Sequence, residues 1–282
     1  MLGLVLSAVA AVYVLKKIQD WSSPTPTAQD FHYYGSTGTQ QQAGSYPTHS
    51  TRVNFGVGVV EDDVPTTQLR KKELVLEKEQ IIEVKWIKHY CSSHRILLVG
   101  EGDFSFSASL AMAFGSATNM VATSLDPLGF LKENYMKAIS NIGELKSRGC
   151  IVLHRIDATK MADNSLKGMI FDRIVYNFPH AGFTNRDKPR EDQIREHQTL
   201  ISLFMKNAKK MIKKDGEIHI SHKSYGFFLE WKIESLGSQN GLRVIEKSQF
   251  DLSDYPGYNT KFGYGGDKNF ECHPSKTYKF GF

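Results

Sequence analysis

The feature that most limits how this chain folds is a short apolar run that ends in a glycine turn. Ile96, Leu97, Leu98 and Val99 are followed by Gly100-Glu101-Gly102-Asp103-Phe104. Four consecutive apolar residues closed by a turn read as a strand buried on both faces, which is how strands of a parallel sheet look. A Gly-x-Gly turn after such a strand, with a helical pattern over 105–114 behind it, reads as the strand–turn–helix unit that holds a nucleotide-like cofactor.

The pattern continues to the C-terminus. Further strands are predicted at 119–125, 150–156, 171–177, 217–221, 242–250 and 277–282. A helix is predicted over 129–148, with Leu131, Tyr135, Ile139, Ile142 and Leu145 at helical spacing and Gly149 as its stop. Another is predicted over 192–214, with Ile194, Leu200, Ile201, Phe204, Ala208, Met211 and Ile212 on one face and Asp215-Gly216 closing it, and a last one over 228–240. Strands alternating with helices imply an α/β fold, a seven-stranded, mostly parallel sheet with helices on both faces.

In such sheets the ligand lies beyond the carboxyl ends of the strands. The residues there are Gly100 to Phe104, Asp126, Asp157, 177–180 and 221–223, which include most of the unusual polar clusters of the chain. The turn alone also fits a dinucleotide. Two features argue against one: Ser105 stands where the third glycine of that fingerprint belongs, and Asp103 puts a carboxylate where a pyrophosphate needs positive potential. S-adenosylmethionine has no phosphate and carries an ammonium. Gly100, Glu101, Gly102, Asp103 and Phe104 are therefore candidate cofactor residues, Asp126 a candidate for ribose hydroxyls and Asp157 for the adenine. Asp103 also suits a helix cap, and Asp126 before Pro127 a turn.

The first 85 residues differ in kind. Residues 1–15 are almost wholly apolar and are followed by Lys16-Lys17, so 1–21 is set apart as an apolar N-terminal segment. It is shorter than the ~20 residues that span a bilayer, and a marginal anchor, an interfacial segment and an inert extension all stay open. Residues 22–85 read as a disordered or weakly helical linker, with 22–50 rich in Ser, Thr, Gln, Gly and Pro. The domain is taken as 86–282. Cys91, Cys150 and Cys272 are far apart, odd in number and without C-x-x-C spacing, which speaks against both a disulfide framework and a metal site. A net charge of +5 permits a nucleic-acid partner without demanding one. Lys206, Lys209, Lys210 and Lys213 would form a basic stripe on the 192–214 helix, either an RNA-facing ridge or a solvated face.

The segments ILLVGEGDFSFSASLA, ATSLD, IDATKM, FDRIVYNFPHAG, HQTLISLFMKNAKKMIKKDGEIHISHK and DYPGYNTKFGYG, in this order from about Trp86 to Phe282, resemble the 25S ribosomal RNA (uridine-N3)-methyltransferase-like family in its plant form. The resemblance implies a Rossmann-like class I methyltransferase fold, S-adenosylmethionine as cofactor, and N3 of a uridine in large-subunit ribosomal RNA as the methyl acceptor. A monomer without metal, in the nucleolus or cytoplasm, is expected. Two segments depart from the family pattern: Ser224-Tyr225-Gly226-Phe227-Phe228, where a Pro-aromatic pair is expected, and Lys261-Phe262-Gly263, where Lys-Arg-Gly is usual. A methyltransferase of another substrate and a non-catalytic protein of the same fold stay open.

Uridine N3 carries a proton and lies on the Watson–Crick edge, so the nucleotide must be flipped or unpaired and the proton must leave. Asn177, Phe178, Pro179 and His180 at the end of the fourth strand are the catalytic candidates: Asn177 for the base edge, Phe178 for stacking, His180 as general base. His222, Lys223, Tyr255, Tyr258 and Lys261 are the candidates for binding the base or its phosphates.

Overall fold

The four residues ahead of the glycine turn, Ile96–Val99, are all buried and form a strand, β4, in the middle of a seven-stranded sheet. We describe a computed structural model, over residues 50–51, 83–161, 163–182, 188–263 and 267–282, all within the unit Tyr46–Phe282. Three short strands precede β4: β1 (Ser50–Thr51), β2 (Val84–Ile87) and β3 (Tyr90–Cys91), joined antiparallel in the order β1-β2-β3. Ser50 and Thr51 thus pair with Lys85 and Val84, all four within the range read as linker. The apolar run at 1–15 lies outside the described residues.

After β4 come β5 (Met120–Thr123), β6 (Ile151–Leu153), β7 (Phe171–Asn177), β8 (Ile212–Lys223), β9 (Arg243–Phe250) and β10 (Ser275–Gly281). The sheet order is β6-β5-β4-β7-β8-β10-β9. The pairs from β6 to β8 are parallel, and β10 runs antiparallel between β8 and β9. This is the mostly parallel, Rossmann-like class I methyltransferase arrangement. The chain lays down β4, β5 and β6 in one direction and then crosses back to place β7 on the other side of β4. That reversal opens a crevice between the carboxyl ends of β4 and β7, where ligands of such sheets bind.

Alternation along the strands separates two cores. Ile96 and Leu98 face a cluster with Phe106 and Leu110 of helix α1 (Ser105–Phe114), while Leu97 faces the other, with Ile201, Phe204 and Met205 of helix α4 (Arg190–Ala208). Helices α2 (Leu128–Asn134) and α3 (Ala138–Ser147) add to the first cluster, and α5 (Ile233–Gln239) to the second.

Three elements depart from expectation. The helix expected over 129–148 is two, because Tyr135 takes an extended conformation (φ −132°, ψ 113°) and breaks it. The helix expected over 192–214 stops at Ala208, and Ile212 already opens β8. Asp215-Gly216 therefore lies within β8, where the pairing with β7 shifts register, and is not a helix stop. The basic stripe dissolves as a result. Only Lys206 is on α4; Lys209 donates to the carbonyls of Asn240 and Gly241, and Lys213 pairs with Asp172 on β7. The helix expected over 228–240 starts as a 3-10 turn (Gly226–Trp231) and becomes α5 only after Lys232 at φ 52°.

Candidate active site

The turn after β4 is fixed from three sides. Gly100 sits at φ 71°, and a Cβ there would overlap the Tyr176 ring on β7, so both its conformation and its contact require glycine. Glu101 N–H donates to the Thr123 carbonyl at 2.9 Å, and the Ser124 hydroxyl donates to the Glu101 carbonyl at 2.7 Å, which ties the turn to β5. Asn141 on α3 donates to the Asp103 carbonyl at 2.8 Å. Phe104, at φ 61°, leads into α1.

Two carboxylates come out of this turn. Asp103 is only 2% exposed; its Oδ1 accepts from Ser105 N–H at 3.0 Å, while its Oδ2 has no partner. It is therefore both the cap and an open acceptor. Burial raises its pKa, against the hydrogen bonds from Ser105. Glu101 accepts from Ser107 N–H at 3.2 Å, and desolvation by the surrounding chain pushes its carboxyl up to about 7. A buried acceptor without a partner is costly unless a ligand supplies one. Here that ligand would be cationic, or a donor.

Tyr135, where α2 and α3 part, was not singled out in the sequence. Its ring is in the core, 2% exposed, and its hydroxyl is buried without a partner. A Cβ on Gly102 would lie 4.0 Å from that hydroxyl, so it borders the turn. Burial, then the nearby Asp126 and Asp103 carboxylates, push its pKa well up, so it stays a donor. Asp126 itself is buried beyond β5. These residues fit S-adenosylmethionine: acidic groups for its ammonium, and donors and acceptors for its hydroxyls and carboxylate. Asp157 is similar: its Oδ1 accepts from the Thr159 N–H and hydroxyl, while its Oδ2 is buried without a hydrogen-bond partner, 3.3 Å from the Lys160 ammonium. Lys261, expected on the RNA side, lies over the cofactor turn instead. Its Cβ is 3.4 Å from a Cβ built on Gly102, and its ammonium is held by Asp267 at 2.8 Å.

Across the crevice, β7 ends in Asn177, whose amide nitrogen and oxygen are both buried and without partners. Phe178 follows at φ 49°, with its N–H on the Ser221 carbonyl at 2.8 Å and its ring edge-on to Phe250 and Phe270, each at 5.2 Å. Pro179 is buried. His180 accepts from Gly182 N–H through Nδ1 at 3.0 Å, so in the neutral ring Nε2 bears the proton. Burial and Lys223 hold its pKa near 4. In this tautomer its Nε2 is a donor, whereas the expected general-base role needs an open acceptor nitrogen.

His180 and His222 belong to a ring cluster whose other members, His197 and Trp231, carried no signal in the sequence. His197 lies 4.3 Å from His180 and 3.9 Å from Trp231, and His222 lies 4.5 Å from Trp231. His222 donates through Nδ1 to the Lys223 carbonyl at 2.8 Å, which leaves its Nε2 a buried acceptor without a partner. Burial lowers it to about 4, and His197 to about 3. The Lys223 ammonium lies over two rings, 4.9 Å from Phe228 and 4.8 Å from Phe270. Tyr255 is stacked on Phe250 at 5.6 Å and packed on Phe106 at 5.0 Å; it is core, and its ring is not available to a base. Tyr258 packs on the same Phe106 at 5.1 Å, with its hydroxyl raised by burial. Among the described residues no cluster of His, Cys, Asp or Glu is arranged for a metal, the three cysteines are free, and no helix is long and apolar enough to cross a membrane.

The sheet order and the glycine turn after β4 are those of a Rossmann-like fold. The chain belongs to the BMT5-like family, rRNA (uridine-N3-)-methyltransferase, whose model matches residues 97–262. It is 50% identical over 205 residues to an uncharacterized Arabidopsis thaliana protein, covering 71% of this chain and 98% of that one. It is 44% identical over 203 residues to the Arabidopsis heavy metal-associated isoprenylated plant protein 41, but spans only 39% of that longer protein. The 25S rRNA (uridine(2634)-N(3))-methyltransferase of Saccharomyces cerevisiae is 27% identical over 218 residues, 58% of this chain and 64% of that one. Among solved structures, a methyltransferase from Pyrococcus furiosus aligns at 16% identity and a TM-score of 0.42, over 67% of this chain and 76% of that one.

Proposed function

We propose that this protein methylates N3 of an unpaired or flipped uridine in large-subunit ribosomal RNA, in the nucleolus or cytoplasm. The observation that carries the chemistry is the pairing, across the β4–β7 crevice, of a cofactor turn having a bare buried carboxylate with an Asn whose two amide atoms have no partners. S-adenosylmethionine, when bound, supplies an electrophilic methyl on a sulfonium. Asp103 Oδ2 and the Tyr135 hydroxyl hold its polar end, and Gly100 lets the chain pass close.

The remaining residues act on the base. Asn177 offers one donor and one acceptor, which a uracil edge can match. The Nε2–H of His180 and the ammonium of Lys223 stabilise negative charge on a uracil oxygen as N3 loses its proton. The bare Nε2 of His222 is the acceptor for that proton. Kept near 4, it is a weak base, so stabilisation of the imidate does most of the work. The rings of Phe228 and Phe270 beside Lys223 lower the local polarity around its half-buried ammonium and strengthen its field.

Methyl transfer to a large-subunit rRNA fragment, followed with methyl-labelled S-adenosylmethionine, tests this. Asn177→Ala is expected to lower turnover by roughly 100-fold, the scale for one polarising group, with cofactor affinity unchanged. Equal turnover in the variant contradicts the reading.

A further inference from the structure

Beside the base-facing residues runs a line of rings that the cofactor site does not use. Phe178, which follows Asn177, lies edge-on to Phe270 at 5.2 Å. Phe270 in turn meets Phe262 at 5.7 Å. The Lys223 ammonium sits 4.8 Å from Phe270 and 4.9 Å from Phe228, and Phe228 meets Tyr225 at 5.5 Å. Both ends of the line are at the surface: Tyr225 is 40% exposed and Phe262 43%. Among the described residues Lys223 makes no direct ion pair, and Glu271 acts on it only through space, so the centre of the line carries a cation.

Phe178, Phe228 and Phe270 pack partly on the core, and Tyr225 and Phe262 extend the same line to the surface, so the exposed rings belong to one contiguous patch, which marks an interaction site. A protein partner would be met by an apolar patch with satisfied polar atoms. A single strand of nucleic acid wants something else, π-faces for its bases and cations for its backbone, in one continuous track. Tyr225, Phe228, Lys223, Phe270 and Phe262 supply that combination, and Phe178 joins the track to Asn177.

The geometry points to this line as the docking surface for the single-stranded RNA that flanks the target nucleotide on either side. The inference rests on the proposed function for its substrate class and adds where the neighbouring bases go. Tyr225 and Phe262 each stack on one unpaired flanking base, and Lys223 holds the strand at the point where the target turns into the crevice. Recognition through stacking tolerates sequence, so the flanks contribute affinity and strand state, while identity is read at the target.

The experiment uses the full chain and a fluorescent oligouridylate of about a dozen nucleotides, within the site sizes of single-strand binders. Fluorescence anisotropy gives its Kd for the wild type, for Tyr225→Ala, for Phe262→Ala and for both together. Each substitution is expected to weaken binding about tenfold, the range for loss of one base–aromatic stack. Tyr225→Phe and Phe262→Tyr should retain wild-type affinity, and the Kd for S-adenosylmethionine should stay unchanged in all. An unchanged RNA Kd in the double variant overturns the inference, as does a wild type that binds duplex as well as single strands. So does a double variant that keeps its RNA affinity while losing a protein partner. The two claims separate cleanly. If the wild type forms 3-methyluridine and the double variant binds RNA equally well, the track falls and the function stands. If the rings bind RNA but no 3-methyluridine forms, the function falls and the track stands.

Discussion

At the scale of single residues, the site is made of polar atoms left open inside a packed wall. Asp103 Oδ2, the Tyr135 hydroxyl, both amide atoms of Asn177 and His222 Nε2 are all buried without partners. A fold does not keep such atoms for stability, because each costs about 1–3 kcal/mol of unrecovered desolvation. Tyr135→Phe separates the two roles. The variant should keep or raise the melting temperature of the ligand-free protein, since no internal bond is lost. Its affinity for S-adenosylmethionine should fall about tenfold, the loss of one hydrogen bond to a charged group. Calorimetric titration beside a thermal melt reads both. A lowered melting point with unchanged affinity would make Tyr135 structural. The sequence showed Asp103 and Asn177 because polar residues stood directly after apolar runs. It hid Tyr135, since its spacing from Leu131 and Ile139 is that of any core residue on a helix. It hid His197 for the same reason, as one polar position on a long amphipathic helix.

At the scale of elements, strands were more legible than the ends of helices. β4, β5 and β7 are buried on both faces over most of their length, and their apolar runs say so directly. Helical spacing, however, continues through a break if the residues on either side still face the core. Tyr135 and Ala138 are buried on both sides of the α2–α3 break. Likewise Met211 and Ile212 continue the apolar stripe of α4 although the chain has already turned into β8. The turn after β4 was legible through its glycines, but only the structure shows what Gly100 is for: the Tyr176 ring fills the space a side chain would take. Gly100→Ala combines a positive φ with overlap against that ring and is expected to cost about 2–4 kcal/mol. Urea unfolding measures it. A cost below about 0.5 kcal/mol, typical of unconstrained surface changes, would show that the turn is not held by β7.

At the scale of the whole molecule, buried histidines make the fold sensitive to acid. His89, His94, His180 and His222 are held near 4 and His197 near 3, in each case mainly by burial. Their folded pKa lies below the unfolded 6.5, so the unfolded chain takes up protons first as the pH falls. Their contribution is complete above about pH 6.5 and is lost between there and about 4. Glu217, lowered to about 2 by its hydrogen bond with His219, adds a loss of the same sign at lower pH. Glu101, raised to about 7, works the other way and costs stability as the pH rises from about 4.5 through 7. The five histidines outnumber the raised carboxyls of Glu101 and Asp103, so the melting temperature falls steeply below about pH 6.5, with His222→Gln reducing the slope. A flat profile from pH 7 down to 4.5 would contradict the burial of these rings. The same five histidines explain why composition revealed little of this: their chemistry is set by what packs on them, and the packing comes from helices and strands far apart in the chain.

The central claim is that the crevice between β4 and β7 transfers a methyl group to uridine N3. The most direct measurement is to incubate the purified full chain with methyl-labelled S-adenosylmethionine and unmodified large-subunit ribosomal RNA, digest the RNA to nucleosides and identify the labelled product by mass spectrometry. The label is expected in 3-methyluridine, and to form roughly 100-fold more slowly with Asn177→Ala. Label in another nucleoside, or none in RNA from a protein that binds S-adenosylmethionine, would contradict it.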